Sequence, residues 1–475
     1  MKAQQYEPVN DLYHQYENYK DASFTQRRFG YAQFSRALHR LQALPGVKCD
    51  SLGASVEGRT IYGIKIGAGA LKVMLWSQMH GDEPTATMAI FDLLNFLTAD
   101  DNNNQLRRKI LDSISLLILP GVNPDGMEKD RRRNALEIDI NRDAVRLESP
   151  ESNILMNAFL EFKPDVAFNL HDQSPRYTAG VTHRTAVLSL LAPAFNYEKE
   201  RSPNRDRAMQ VCAHINNVLS AFIPGHIAKY TDDFEPRAFG DNFQKLGAAT
   251  VLIESGGWKN DPEKQFIRKM NFLAFVSSLF ALAENRISRI NLEDYDKIPF
   301  NEKYLFDVLL RKLTYTKNDT IFTTDVAFNL NESFVPGRAG YKVTSTIEDA
   351  GDLSTFYGNL DYDLSGFQIE AGKIYPEVFN TVEDVSGLSY DTLYRKGYIY
   401  IMVKESPEGN SAVIPPVIIA PQDFDKKERK NYLIIGNAAN FIITRDKQVR
   451  YVVVNGSLYD TRLNSGEIRS GLLIK

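Results

Sequence analysis

The apolar residues of this chain cluster in two distinct ways. From Val73 onward, short continuous runs recur at Val73–Met79, Ile114–Leu119, Val166–Leu170 and Thr250–Ile253, each bounded by polar or glycine-rich segments. Runs of this length predict strands buried on both faces, and the amphipathic stretches between them predict helices. One such helix opens at Pro84 and runs through Leu97, with Met88, Leu93, Leu94 and Leu97 on its buried side. Before this region, residues 5–45 are mostly helical in pattern and end in the turn signal Leu44-Pro45-Gly46. Cys49 to Gly67 then alternates in strand fashion around Glu57-Gly58, as a hairpin would.

After a helix ending near Asn285 the pattern changes. Phe306–Leu310, Thr320–Phe328, Gly397–Val403 and Val449–Gly456 read as strands separated by turns. The predicted architecture is therefore α/β, a mostly parallel or mixed central sheet flanked by helices over residues 1–290, followed by a β-rich domain over 300–475.

In open sheets of this kind ligands bind beyond the carboxyl ends of the strands. The first run leads into His80 and Glu83, the second into Asn123-Pro-Asp-Gly126, the third ends on His171 and the fourth on Glu254. Two imidazoles and two carboxylates thus gather at one sheet edge. A catalytic zinc takes three protein ligands and keeps a fourth position open, and two histidines with one glutamate form a known set. His80, Glu83 and His171 are the expected ligands of one Zn²⁺. A carboxylate beside water activated by such a metal can accept its proton and pass it to a leaving amine, which is the role expected of Glu254. Taken alone, His171 would be a core histidine and Glu254 a capping or ion-paired group. The five other histidines, His14, His39, His183, His214 and His226, have no strand-end carboxylate near them in sequence and read as structural or surface groups.

Bulk composition narrows the choice of partner. The net charge of −4 over 475 residues, without a basic arm or acidic tail, disfavours nucleic acid and anionic membranes and leaves peptides or small molecules. The two cysteines, Cys49 and Cys212, cannot form a disulfide framework and suit a reducing compartment. The N-terminal segment lacks the apolar core of a signal peptide, and no run of about eighteen apolar residues is expected to span a membrane. The expectation is a cytoplasmic protein.

Taken together the motifs resemble one family. Ser55-Val-Glu-Gly-Arg59-Thr-Ile61, His80-Gly-Asp-Glu83, Asn123-Pro-Asp-Gly126, Arg132-Arg-Asn-Ala135, Ile138-Asp-Ile-Asn-Arg-Asp143, Asn169-Leu-His171 and Leu252-Ile-Glu254 follow the order seen in M14-type zinc metallocarboxypeptidases, across residues 45–260. The resemblance implies zinc on His80, Glu83 and His171, with Glu254 as general base. It further implies Arg132 as the group that polarises the scissile carbonyl, Asn141 and Arg142 as the pair holding the substrate's terminal carboxylate, and Asp139 as the carboxylate orienting His80. A guanidinium fork suits a carboxylate, which agrees with the Arg142 role. The implied partner is a peptide with a free C-terminal carboxylate.

The resemblance is incomplete in one loop. Relatives carry a tyrosine some two dozen residues before the base; Tyr230 has about that spacing, Tyr177 competes with it, and the intervening Asp232–Gly240 does not match. Arg237 in this loop is expected either to meet an acidic group of the substrate or to pair with Asp232, Asp233 or Glu235. The C-terminal region has no histidine. Its segment Ile435–Asp460 is similar to the small β-sandwich that accompanies amidohydrolase barrels, which implies an accessory module; its lack of chemical residues leads to the expectation that it packs against the catalytic domain or a second subunit, as in a homo-oligomer, and limits which peptides enter. Two rival readings stay open on sequence alone: a zinc deacylase or amidase acting on N-acyl amino acids or cell-wall peptides, and a non-catalytic peptide-binding protein.

Overall fold

A computed structural model describes residues 7–334, 341–405, 414–466, 468 and 470–474. Residues 5 and 6 of the expected N-terminal helical stretch lie outside these. The chain divides into two compact units, residues 1–303 and 304–475.

The first unit opens with two helices, α1 (Glu7–Gln15) and α2 (Tyr31–Gln42), within the stretch expected to be mostly helical. The backbone between them is tied to a buried cation. Arg268 donates to the carbonyls of Asp21 and Phe24 at 3.0 and 2.6 Å, and Asp21 Oδ1 accepts from Ser23 N at 2.8 Å. Strands β1 (Lys48–Ala54) and β2 (Thr60–Ile66) form the expected hairpin, and Gly58 supplies its left-handed turn residue at φ +80°.

The α/β body follows as β3 (Leu71–Ser77), α3 (Thr85–Thr98), α4 (Asn104–Ser113), β4 (Ile114–Leu119), α5 (Pro124–Lys129), α6 (Pro150–Phe162) and β5 (Val166–Asp172). It continues with β6 (Thr178–Ala179), β7 (Leu188–Leu191), α7 (Pro203–Leu219), β8 (Ile227–Lys229), α8 (Phe239–Lys245), β9 (Ala249–Ser255) and α9 (Gln265–Ala283). Eight strands make one mixed sheet in the order β1-β2-β4-β3-β5-β9-β7-β8. The inner strands β4, β3, β5 and β9 are mutually parallel, whereas β2 and β7 join their outer edges antiparallel. Their near-complete burial matches the continuous apolar runs that predicted them.

Two strands reach further than the runs suggested. β5 and β9 stay paired through His171↔Glu254 and Asp172↔Ser255, so these residues lie within the ladder instead of just past it. The apolar run stops earlier because the sheet mouth needs polar groups while the backbone pairing continues. Strands β7 and β8, at four and three residues, are too short to leave a period in the sequence.

Helix α9 alone among the described residues is long and apolar enough by length and mean composition to cross a membrane, although Arg268, Lys269 and Asn271 interrupt its apolar residues. Here it is a core helix. Arg268 near its start and Asp92 of α3, both fully buried, are joined by a bidentate ion pair with Nε–Oδ2 at 2.7 Å and Nη2–Oδ1 at 2.5 Å. Tyr16 also donates to Asp92 at 2.8 Å, so the pair ties α3, α9 and the N-terminal segment together.

In the second unit an eight-stranded sheet is built mainly from antiparallel neighbours, including Leu305–Lys317, Thr320–Phe334, Tyr341–Gly351, Phe441–Arg445 and Gln448–Val454. A second sheet of four strands, Lys373–Phe379, Tyr398–Val403, Ile418–Pro421 and Leu472–Leu473, is parallel. Parallel neighbours need crossovers, and the helix Tyr390–Lys396 lies on one of them.

Candidate active site

The loop after β3 is held by the loop after β4. Gln78 takes a left-handed conformation at φ +52°, turning the chain out of the sheet. Val122 N and Asn123 N then donate to the carbonyls of Ser77 and Gln78 at 3.1 and 3.0 Å, and Asn123 Nδ2 donates to Met79 O at 3.2 Å. Asn123 Oδ1 accepts from Gly126 N at 2.8 Å, capping α5. Gly81 is packed so closely that a Cβ there would lie 1.9 Å from the carbonyl carbon of Gly126.

Asp125, fully buried, binds the hairpin to the same loop. It accepts from Ser55 Oγ at 2.7 Å, Glu57 N at 3.0 Å and Arg59 Nη1 at 2.7 Å. The Ser55–Arg59 and Asn123–Gly126 blocks are therefore a brace beneath His80, a role that local spacing did not disclose.

His80, Glu83 and His171 meet, buried, with one donor atom from each lying within 4.8 Å of the others. Glu83 Oε1 is 2.7 Å from His80 Nδ1, and Glu83 Oε2 is 2.7 Å from His171 Nδ1. His80 Nε2 faces Asp139 Oδ1 at 3.1 Å. If that nitrogen carries the hydrogen, Nδ1 presents a lone pair towards a carboxylate oxygen, and two acceptors at this distance require a proton or a cation between them. The donor set of two imidazoles and a carboxylate suits zinc, and the orientation of its lone pairs fits the ion. Burial opposes charge on His80, but Glu83 and the Asp139 hydrogen bond outweigh it and lift the ring to about 9. On His171 burial wins over Glu83 and lowers the value. Burial would likewise raise Glu83, yet the two rings hold it well below the ordinary carboxylate range.

Asp139 joins three further groups. Its Oδ2 accepts from Arg132 Nε at 3.0 Å, and its Oδ1 accepts from Asn141 N at 3.0 Å, capping the short turn Ile140–Arg142. Arg132 is half-exposed and brings Nη1 to 3.4 Å from Glu83 Oε1. Asn141 is buried, and its Oδ1 accepts from Phe239 N at 3.1 Å, fixing the start of α8. Arg142 Nε lies 3.2 Å from Glu235 Oε2. Arg237 is bidentate to the same carboxylate, with Nε and Nη2 both at 2.9 Å. Of the two outcomes expected for Arg237, the structure has the ion pair within its own loop.

Glu254 lies beside His171 in the ladder. Burial, with Glu83 and Asp172 adding negative charge, pushes its carboxyl up to about 8. Tyr230 is brought near it and meets Tyr177 edge-on, with ring centroids 6.3 Å apart, and burial together with Glu254 raises Tyr230 above the usual phenol range. Two site groups, Asp172 and Lys264, went unnoticed in the sequence, and Glu235 was expected only as a partner of Arg237. Glu235 holds two arginines. Asp172, next to His171, donates its N–H to Glu83 Oε2 at 3.1 Å and accepts from Thr85 Oγ1 at 2.5 Å and Lys264 Nζ at 2.9 Å. Lys264, at the start of α9, has no local signal that could have revealed it.

Residues 36–157 match the model of the zinc carboxypeptidase family. Carboxypeptidase 2 of Trichophyton tonsurans is 33% identical over 110 residues, covering 23% of this chain and 19% of that protein. Carboxypeptidase SOL1 of Arabidopsis thaliana is 27% identical over 139 residues, covering 26% and 28%. This chain thus spans less than a third of the length of either relative. A metallo-carboxypeptidase structure from Burkholderia cenocepacia aligns with a TM-score of 0.44 at 19% identity, covering 55% of this chain and 70% of that one. His80, Glu83, Asn123, Arg132, Asp139, Asn141 and Arg142 all fall inside the stretch of residues 36–157 that matches the zinc carboxypeptidase model.

Proposed function

We propose that the N-terminal unit is a zinc-dependent metallocarboxypeptidase that removes the C-terminal residue of peptides. The observation that carries this reading is the convergence of the His80, Glu83 and His171 donor atoms with Glu254 beside them in the β5–β9 ladder. Zinc, when bound by these three residues, supplies a Lewis acid that acidifies water and polarises a carbonyl.

The chain's own groups carry the remaining work. The Glu254 carboxylate accepts a proton from the attacking water and delivers it to the nitrogen of the leaving amino acid as the C–N bond breaks. A carboxyl lifted towards neutrality is suited to hold and then return that proton. The Arg132 guanidinium, oriented by Asp139, offers N–H donors to the oxygen that gains charge as the carbonyl carbon becomes tetrahedral. Asn141 spends its Oδ1 on Phe239 N and keeps its amide donors for the substrate's terminal carboxylate, which Arg142 would share. Tyr230, whose phenol feels the charge of Glu254, would contribute its hydroxyl there.

The test is a digest of a peptide mixture read by mass spectrometry, with native protein and Glu254→Gln, each loaded with zinc. Single-residue C-terminal trimming by the native protein alone is expected. Internal cleavage, or release of acyl groups without trimming, would point to a different hydrolase.

A further inference from the structure

The second unit contains an open cavity of about 700 Å³ lined by Lys373, Arg395, Lys396, Lys447, Arg450 and Arg462, together with Tyr398, Gln448, Val449 and Thr461. Among the described residues no acidic side chain lines it. The geometry points to a binding site for a small polyanion carrying several phosphate groups.

The fold brings these cations together from four separate segments. Arg395 and Lys396 end the helix Tyr390–Lys396, which Gly397 terminates at φ +81°. Lys373 N donates to Gly397 O at 2.8 Å, and a Cβ on Gly397 would meet Val449 Cγ2 at 3.3 Å and Lys373 Cδ at 3.5 Å. Lys447 sits in the two-residue turn between Phe441–Arg445 and Gln448–Val454, where it and Asp446 both have positive φ. Thr461 N and Oγ1 donate to Arg450 O at 3.0 and 3.1 Å, which anchors the segment bearing Arg462.

Ordinary structural roles account for only part of this set. Cations in the last turn of a helix answer its partial negative charge, which covers Arg395 and Lys396. Arg395 also donates to Asn464 Oδ1 at 2.7 Å, and Arg462 pairs with Asp460 at 3.1 Å. Among the described residues, Lys373, Lys447 and Arg450 have neither a helix end nor an ion pair to explain them. The chain is net negative, so the cluster is not a compositional drift. A concave surface lined by one sign of charge focuses its potential on whatever enters, and arginine forks match phosphate oxygens. The volume lies within the range of small-molecule sites. Tyr398, the sole aromatic lining residue among those described, is engaged edge-on with Tyr375 at 5.5 Å, so the described lining has no row of stacking faces of the kind single-stranded nucleic acid uses.

Titration calorimetry of the full chain with inorganic tripolyphosphate in physiological salt tests the assignment. Saturable binding of one ion per chain is expected. Lys447→Gln/Arg450→Gln should weaken it at least ~10-fold, the scale of one lost charge-assisted contact, with an unchanged melting midpoint in the absence of ligand. Lys426→Gln/Lys427→Gln, outside the cavity lining, should bind as the native chain does. Absence of binding, equal weakening in both double variants, or tighter binding of a single-stranded oligonucleotide than of tripolyphosphate would each overturn it.

Discussion

The Glu235 carboxylate lies 3.2 Å from Arg142 Nε while its two oxygens are also held by Arg237. Arg142 is the residue proposed to receive a substrate's terminal carboxylate, so an internal carboxylate already shares that cation. Both side chains are partly exposed, and water screens the pair. Glu235→Gln should therefore lower KM for a peptide with a neutral C-terminal residue by a modest factor, roughly two- to fivefold, with little change in kcat. Steady-state kinetics on one such peptide checks this, and a raised KM would show that Glu235 supports substrate binding instead.

Asp139 accepts from His80 Nε2 and Arg132 Nε with different oxygens. Asp139→Asn keeps the shape and removes the charge that orients the ring. Zinc affinity should fall by about 10- to 100-fold, as is usual when such a supporting carboxylate is lost. Competition with a chelator of known affinity measures the change.

Two glycines separate local strain from site architecture. At Gly81 an added methyl would lie 1.9 Å from backbone of α5, whereas at Gly58 it meets nothing within 4 Å but must accept φ +80°. Gly81→Ala should lose zinc as the His80 loop is displaced, at a stability cost of about 1–3 kcal/mol. Gly58→Ala should cost about 1–2 kcal/mol for its left-handed backbone and retain the metal. Metal content after dialysis, alongside denaturant unfolding, distinguishes the two.

His214 of α7 is buried, with Nε2 3.1 Å from Ser277 O of α9, and burial holds its ring down at about 4. In the unfolded chain the ring protonates near 6.5. Between these values the unfolded state binds more protons, so the folded state loses stability as pH falls through this window, by on the order of 3 kcal/mol for this group. Replacement by Gln removes that contribution. The stability difference between native protein and His214→Gln should shrink from pH 7 to pH 4, measured by urea unfolding at each pH; a constant difference would contradict the assignment.

How much of the site was legible depended on whether its signals were local. His80, Glu83, His171 and Glu254 could be read because polar residues terminate apolar runs, and parallel strands bring such ends to one edge. Lys264 reaches Asp172 across 92 positions and Arg59 reaches Asp125 across 66, so neither pairing leaves a periodic trace. The ladder position of Glu254 and the short strands β7 and β8 depend on register, which a single sequence encodes through contacts between distant segments. The contacts of the segment between α1 and α2 are equally distant in sequence, since Arg268 lies more than two hundred residues from the carbonyls it meets.

The central claim is that the chain cuts at a free C-terminus, and one pair of substrates tests it directly. The zinc-loaded protein should hydrolyse a short peptide bearing a free C-terminal carboxylate, and should lose most of its kcat/KM, by about 10²-fold or more, when the same peptide is amidated, because Asn141 and Arg142 then have no anion to hold. Equal rates on the two peptides would contradict the account.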